Sequence, residues 1–119
     1  VHSSVVPQKT LDTVITIGKD KVYVAFRPGA EEFIKAMGKI YEVVIFTAGL
    51  EKYAQPLMKT LDKSQVCREI LSREYCTEVD GIYTKDMSKL GRRLEDIILL
   101  DNSPDSYSLQ KNNGMPILS

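Results

Sequence analysis

Two apolar runs in this sequence end in groups suited to phosphate and metal chemistry. Val44-Ile45-Phe46 leads into Thr47, and Ile97-Ile98-Leu99-Leu100 leads into Asp101 and Asn102. A hydroxyl at a strand end, with the backbone N–H groups of Ala48 and Gly49, could hold phosphoryl oxygens where a helix begins. A carboxylate followed by an amide offers hard oxygen ligands of the kind Mg2+ takes. Lys85, between them in sequence, could neutralise a phosphoryl group as a point charge. Arg73, in Ser72-Arg73-Glu74-Tyr75, could pair with a phosphate. Each has an ordinary alternative. Thr47 suits a helix cap, Asp101-Asn102-Ser103-Pro104 suits turn chemistry, Lys85 suits a solvated surface, and Arg73 suits a surface ion pair.

The elements that must position these groups follow from periodicity. Residues 13–17 and 21–26 alternate apolar and polar around Gly18-Lys19-Asp20, a β-hairpin pattern. Pro28 precedes Ala30-Glu31-Glu32, a helix start with early acids facing the dipole, and Phe33, Ile34, Met37 and Tyr41 recur at helical spacing. Glu42 to Phe46 reads as a buried parallel strand. Leu50, Tyr53, Ala54, Leu57, Met58 and Leu61 mark a second helix that Pro56 should kink or delay. Arg68 to Glu78 reads as extended, and Val79-Asp80-Gly81-Ile82 as a hairpin turn. Ser88 to Gly91 is a short helical turn, and Ile97 to Leu100 reads as the most buried strand. Ser103 to Leu109 is a turn or short helix, and Met115 to Leu118 starts another strand. Strands alternating with helices imply an α/β layered fold. In such sheets ligands sit at the carboxyl ends of parallel strands, where Thr47 and Asp101 both fall.

Composition sets outer limits. The chain has 119 residues, enough for one domain, with 16 basic and 16 acidic side chains and no net charge. That balance gives no electrostatic case for direct nucleic-acid binding or for an anionic membrane surface. No apolar run approaches a membrane span. Cys67 and Cys76 lack C-x-x-C spacing and read as reduced thiols packed as small hydrophobes. His2, the one histidine, suggests neither a triad nor a zinc site. Arg92-Arg93 reads as a solvated turn.

Five blocks in order then become informative together: Val1-His2-Ser3-Ser4, Phe26-Arg27-Pro28-Gly29, Phe46-Thr47-Ala48-Gly49 with Lys52-Tyr53-Ala54, Tyr83-Thr84-Lys85-Asp86-Met87-Ser88-Lys89-Leu90-Gly91, and Leu99-Leu100-Asp101-Asn102-Ser103-Pro104. They closely resemble the small C-terminal-domain phosphatases of the haloacid dehalogenase superfamily, the Fcp/Scp or NLI-interacting-factor type. The resemblance covers residues 1–119 as a single domain. It implies a Rossmann-like three-layer α/β/α fold with a central parallel sheet and a β-hairpin insertion. It also implies a Mg2+-dependent protein serine/threonine phosphatase acting through an aspartyl phosphate on phosphoserine-proline motifs, such as those of the RNA polymerase II C-terminal domain. A nuclear location follows from that substrate, with a cytoplasmic or membrane-anchored parent protein as alternatives. By the same resemblance Thr47 binds phosphoryl oxygens and Lys85 stabilises the nucleophile and the transition-state charge. Asp101 holds the metal with Asn102 assisting, and Arg73 lies near the substrate phosphate. Ile15, Ile17, Val22, Leu50 and Tyr53 fall at positions of an apolar pocket for the substrate proline. Val5 stands where an aromatic residue is common.

The Asp-x-Asp-x-Thr motif that carries the family's nucleophile is absent from these residues; Val1-His2-Ser3-Ser4 matches the stretch just after it. The resemblance therefore implies a domain truncated at both ends and inactive as it stands. The absent strand would lie between those ending at Thr47 and Asp101. Unpaired backbone groups along that edge would cost roughly 1–3 kcal/mol each, against a total stability of about 5–15 kcal/mol. The expectation is that the two strands do not pair directly. Two rivals stand beside this reading: a catalytically inactive binding module like the mitochondrial presequence-receptor relative, and a receiver-like module with Asp101 as the phosphate acceptor.

Overall fold

The computed structural model describes residues 2–4 and 13–119. Val5 lies outside them. The elements run β1 (His2–Ser4), β2 (Thr13–Ile17), β3 (Asp20–Ala25), α1 (Ala30–Met37), β4 (Val44–Phe46), α2 (Glu51–Leu61), β5 (Glu69–Leu71), β6 (Thr77–Val79), β7 (Ile82–Thr84), β8 (Leu99–Asp101) and β9 (Gly114–Pro116). Short 3-10 turns fill much of the second half, including Arg73–Tyr75, Met87–Lys89 and Pro104–Tyr107.

The expected hairpin forms, with β3 pairing antiparallel to both β1 and β2. Gly18 takes the left-handed conformation (φ 60°) at its tip, where a side chain would be strained. β4 and β5 pair in parallel, as do β8 and β9, and β6–β7 is a separate antiparallel hairpin. The parallel strands thus fall into two two-stranded sheets, and β4 is not hydrogen-bonded to β8.

Apolar packing concentrates around α2. Ile34 from α1 and Met58 and Leu61 from α2 are buried together, with Ile45 of β4 and Ile70 of β5 packed against them. The other face of α2 meets the hairpin, where Ile15, Val22 and Val24 are buried and Tyr53 and Leu57 close over them. Pro56 sits inside α2 without ending it.

Three sequence readings need correction. The first helix stops at Met37, with Gly38 capping it, so Tyr41 lies beyond it and is exposed. The stretch from Arg68 to Glu78 is broken by a 3-10 turn at Arg73–Tyr75 rather than continuously extended. The strand over Ile97 to Leu100 is not the most buried one: Ile98 is 57% exposed and Leu100 38%. An apolar run fits a strand covered on both faces, but β8 has one ladder partner, β9, and no residue of it joins either buried core cluster.

Candidate active site

Thr47 follows β4 directly, and its backbone N–H continues the parallel ladder to the carbonyl of Leu71 (2.8 Å). It is not a helix cap, because α2 begins at Glu51 with Leu50 in the cap position. Its Oγ1 instead accepts the Gly49 N–H at 3.0 Å. That bond fixes the hydroxyl and leaves its O–H proton for another acceptor. It also engages the Gly49 N–H, which is therefore no longer a free donor for a phosphate.

The 3-10 turn after β5 brings Arg73 to the same strand ends. The Arg73 N–H donates to the Gly49 carbonyl (3.0 Å) and its Nε to the Ala48 carbonyl (2.7 Å). Its guanidinium lies 5.2 Å from the centre of the Tyr83 ring. Arg73 makes no ion pair among the described residues, so the surface ion-pair reading does not hold.

Lys85 and Asp101 meet on the other side. Lys85 Nζ contacts Asp101 Oδ2 at 2.5 Å, and the two side chains are only 12% and 9% exposed. Lys85 is therefore not a solvated surface lysine. Its backbone N–H donates to the Ser106 carbonyl (2.8 Å), tying β7 to the 3-10 turn that follows β8. Asp101 Oδ1 accepts the Ser103 N–H (2.9 Å), so turn chemistry and ion pairing occur in one carboxylate. Burial pushes the Asp101 carboxyl up. The hydrogen bonds from Lys85 and Ser103, with the Lys85 charge, outweigh that and hold it below the ordinary value.

Cys76 also lies at the Thr47 side of the site, a placement its sequence context did not signal. Its thiol donates to the Thr47 carbonyl (3.7 Å). Burial raises its pKa, while the nearby charges of Lys85 and Arg73 pull the other way. Cys76 thus touches Thr47 and feels the charges of both Arg73 and Lys85. The remaining candidates are placed differently. Asn102 is exposed and donates to Ser119 Oγ (2.9 Å). Ile15 and Val22 are buried in the hairpin core, Ile17 and Tyr53 pack against it, and Leu50 is 38% exposed at the start of α2. No cluster of three metal-ligating side chains from His, Cys, Asp or Glu occurs among the described residues.

Residues 1–119 match the family model described as NLI interacting factor-like phosphatase. The chain belongs to that family. Among its curated relatives, the NLI interacting factor-like domain is 44% identical over 123 residues to the human carboxy-terminal domain RNA polymerase II polypeptide A small phosphatase 1, covering 100% of this chain and 47% of that protein. It is also 44% identical over 123 residues to Phosphatase PSR1 of Saccharomyces cerevisiae, covering 100% of this chain and 29% of that protein. The chain thus spans less than half the length of these phosphatases. Among solved structures, Fcp1, an essential RNA polymerase II CTD phosphatase, superposes with a TM-score of 0.71 at 22% identity, over 82% of this chain and 27% of that one. That likeness shows that the chain shares the α/β fold of Fcp1.

Proposed function

We propose that this domain is the phosphate-binding and lysine-bearing part of a protein serine/threonine phosphatase. The reading rests on one observation above all: a buried Lys85–Asp101 pair at the end of β8, with Lys85 on the segment whose Tyr83 ring meets Arg73, itself bound to the Ala48 carbonyl beside Thr47. The substrate class is phosphoserine beside proline, as in the RNA polymerase II C-terminal domain named for the human relative, and the site of action is the nucleus.

Each residue has a task that its chemistry allows. The Thr47 O–H donates to a phosphoryl oxygen while its lone pair stays on Gly49. Arg73 has used Nε on the Ala48 carbonyl, and its two Nη groups remain for the phosphate. Lys85 supplies a fixed positive charge where charge grows in the transition state. Asp101 holds that ammonium in place.

The nucleophile is an aspartate upstream of residue 1, on a strand seated between β4 and β8. Its carboxylate oxygen attacks phosphorus while the serine oxygen leaves with a proton from the second aspartate of the motif. Water then releases phosphate from the aspartyl phosphate. The exposed apolar residues Ile98 and Leu100 and the absence of a β4–β8 ladder support that placement.

The donor chemistry of Asp101, with the Asn102 amide beside it, fits a hard cation, and Mg2+ is the cofactor proposed. One carboxylate already shared with Lys85 and Ser103 is part of a site, and the upstream aspartates complete it. Bound Mg2+ offsets the repulsion between the attacking carboxylate and the phosphate.

The test is an assay of the complete protein on a phosphoserine-proline peptide with Mg2+ or with excess chelator. Phosphate release should depend on the metal and vanish when the first upstream aspartate is replaced by asparagine. Release that persists in chelator, or with that replacement, would refute the mechanism.

A further inference from the structure

Arg73 is held on two sides by unlike contacts. One edge of its guanidinium, at Nε, is fixed on the Ala48 carbonyl. The group as a whole lies over the face of Tyr83, which is on β7, two residues before Lys85. Strand alternation explains why Tyr83 is there. Successive side chains of an extended segment point to opposite faces, so Tyr83 and Lys85 share a face and Thr84 takes the other. Thr84 is buried, with its hydroxyl donating to the Ser106 carbonyl at 3.1 Å. Tyr83 is 41% exposed and contributes to neither apolar core cluster. Its ring therefore has little to do with core packing and much to do with Arg73.

A guanidinium fixed at Nε alone can still swing about that bond. An aromatic face beneath it removes that freedom and draws the cation by the ring quadrupole. Arg73's two Nη groups have no hydrogen-bond partner among the described residues. We propose that Tyr83 is a positioning residue for substrate recognition: its ring holds Arg73 so that both Nη groups meet the phosphate of a phosphoserine peptide. The inference rests on the reading above that Arg73 binds that phosphate.

Steady-state kinetics of the complete protein on a phosphoserine-proline peptide test it. Tyr83→Leu should raise KM roughly 3- to 10-fold, as expected for loss of a cation–π contact, with kcat within about twofold of the parent. Retained kcat also reports an intact fold. Tyr83→Phe keeps the ring face and should restore KM to within about twofold. In an Arg73→Ala background, Tyr83→Leu should add nothing, because the ring acts only through the arginine. The proposal is overturned if Tyr83→Phe is as impaired as Tyr83→Leu, or if Tyr83→Leu raises KM equally with and without Arg73. An unchanged KM in Arg73→Ala overturns the phosphate role of Arg73 and this proposal with it. A raised KM in Arg73→Ala beside an unchanged KM in Tyr83→Leu overturns the role of Tyr83 alone.

Discussion

The β4–β5 and β8–β9 pairs have the same local geometry: two short parallel strands with a polar side chain at the carboxyl end. They are held in different ways. β4–β5 lies under both helices, and Ile45 and Ile70 pack against Ile34, Met58 and Leu61. β8–β9 has no share in either core cluster. Besides the buried Tyr107 ring against Gly114, it is fixed by polar links: Lys85 to Asp101, Lys85 N–H to the Ser106 carbonyl, and Asn113 to the Ile97 carbonyl (3.0 Å). Apolar packing tolerates small losses spread over many atoms. A polar clamp depends on single partners, and removing one leaves the other buried and unpaired. The phosphate side of the site should therefore be robust and the lysine–aspartate side brittle.

The largest contrast should come from Lys85→Ala. It removes the charge proposed to face the transition state and strands Asp101 in a nearly buried position. The expected loss is about a hundredfold or more in kcat of the complete protein and about 3 kcal/mol of stability, read by denaturant titration. A stability change as small as a surface substitution gives would show that the pair is not the clamp of this half.

Two glycines probe the packing of each half. A Cβ at Gly114, which opens β9, would run into the Tyr107 ring, and Tyr107 is buried. A Cβ at Gly38, after α1, would meet a methyl of Val66 in the other half. Gly114→Ala should cost about 2–3 kcal/mol, because a buried ring has nowhere to move. Gly38→Ala should cost about 1 kcal/mol, because Val66 is only partly buried and can shift. Thermal unfolding of both variants checks the order, and equal losses would remove this distinction between the halves.

Thr47→Val tests the robust side. It deletes the acceptor of the Gly49 N–H, for an expected cost of about 1 kcal/mol. Activity should fall about tenfold or more if the hydroxyl also donates to the phosphate. A stability loss without any activity loss would leave Thr47 a purely structural residue.

The smallest effect is the acid response. Asp101 is held below its ordinary value despite burial, and Asp62 behaves likewise because the Val66 and Cys67 N–H groups (2.9 and 2.8 Å) bind its carboxylate. A depressed folded pKa adds stability above the unfolded value, near pH 4, and that contribution is lost as pH falls through the folded value. Unfolding titrations between about pH 5 and pH 2 should show a shallower decline in both Asp101→Asn and Asp62→Asn. If only one flattens the curve, that carboxylate alone governs the acid limb. Cys67 gives a separate check within the robust half. Burial and then Asp62 push its thiol up to about 12, so labelling by a thiol reagent near pH 8 should be slow in the folded chain.

Most local elements were legible from residues 13 to 61, where long patterns repeat, although the first helix was read past its end at Met37. The hairpin alternates around Gly18, and α2 repeats its apolar face despite Pro56. Beyond Leu61 the elements are three-residue strands and 3-10 turns, too short to set a period. The burial of Ile97 to Leu100 was misread there because a run of apolar residues states a preference for cover, not the presence of a cover. Thr47, Arg73, Lys85 and Asp101 were legible as candidates through motif order. Cys76 and Tyr83 were not, since a thiol and an aromatic side chain in strand-like segments carry no chemical signal of their own.

Sequence alone determined the family, the candidate residues and the strand ends that bear them. Those properties reside in residue type and order along the chain. Tertiary structure alone decided that Lys85 is buried against Asp101, that Thr47 binds Gly49 rather than capping α2, and that Arg73 rests on Tyr83. Each of these joins side chains through space, where distance and desolvation, rather than residue type, set which polar partner wins.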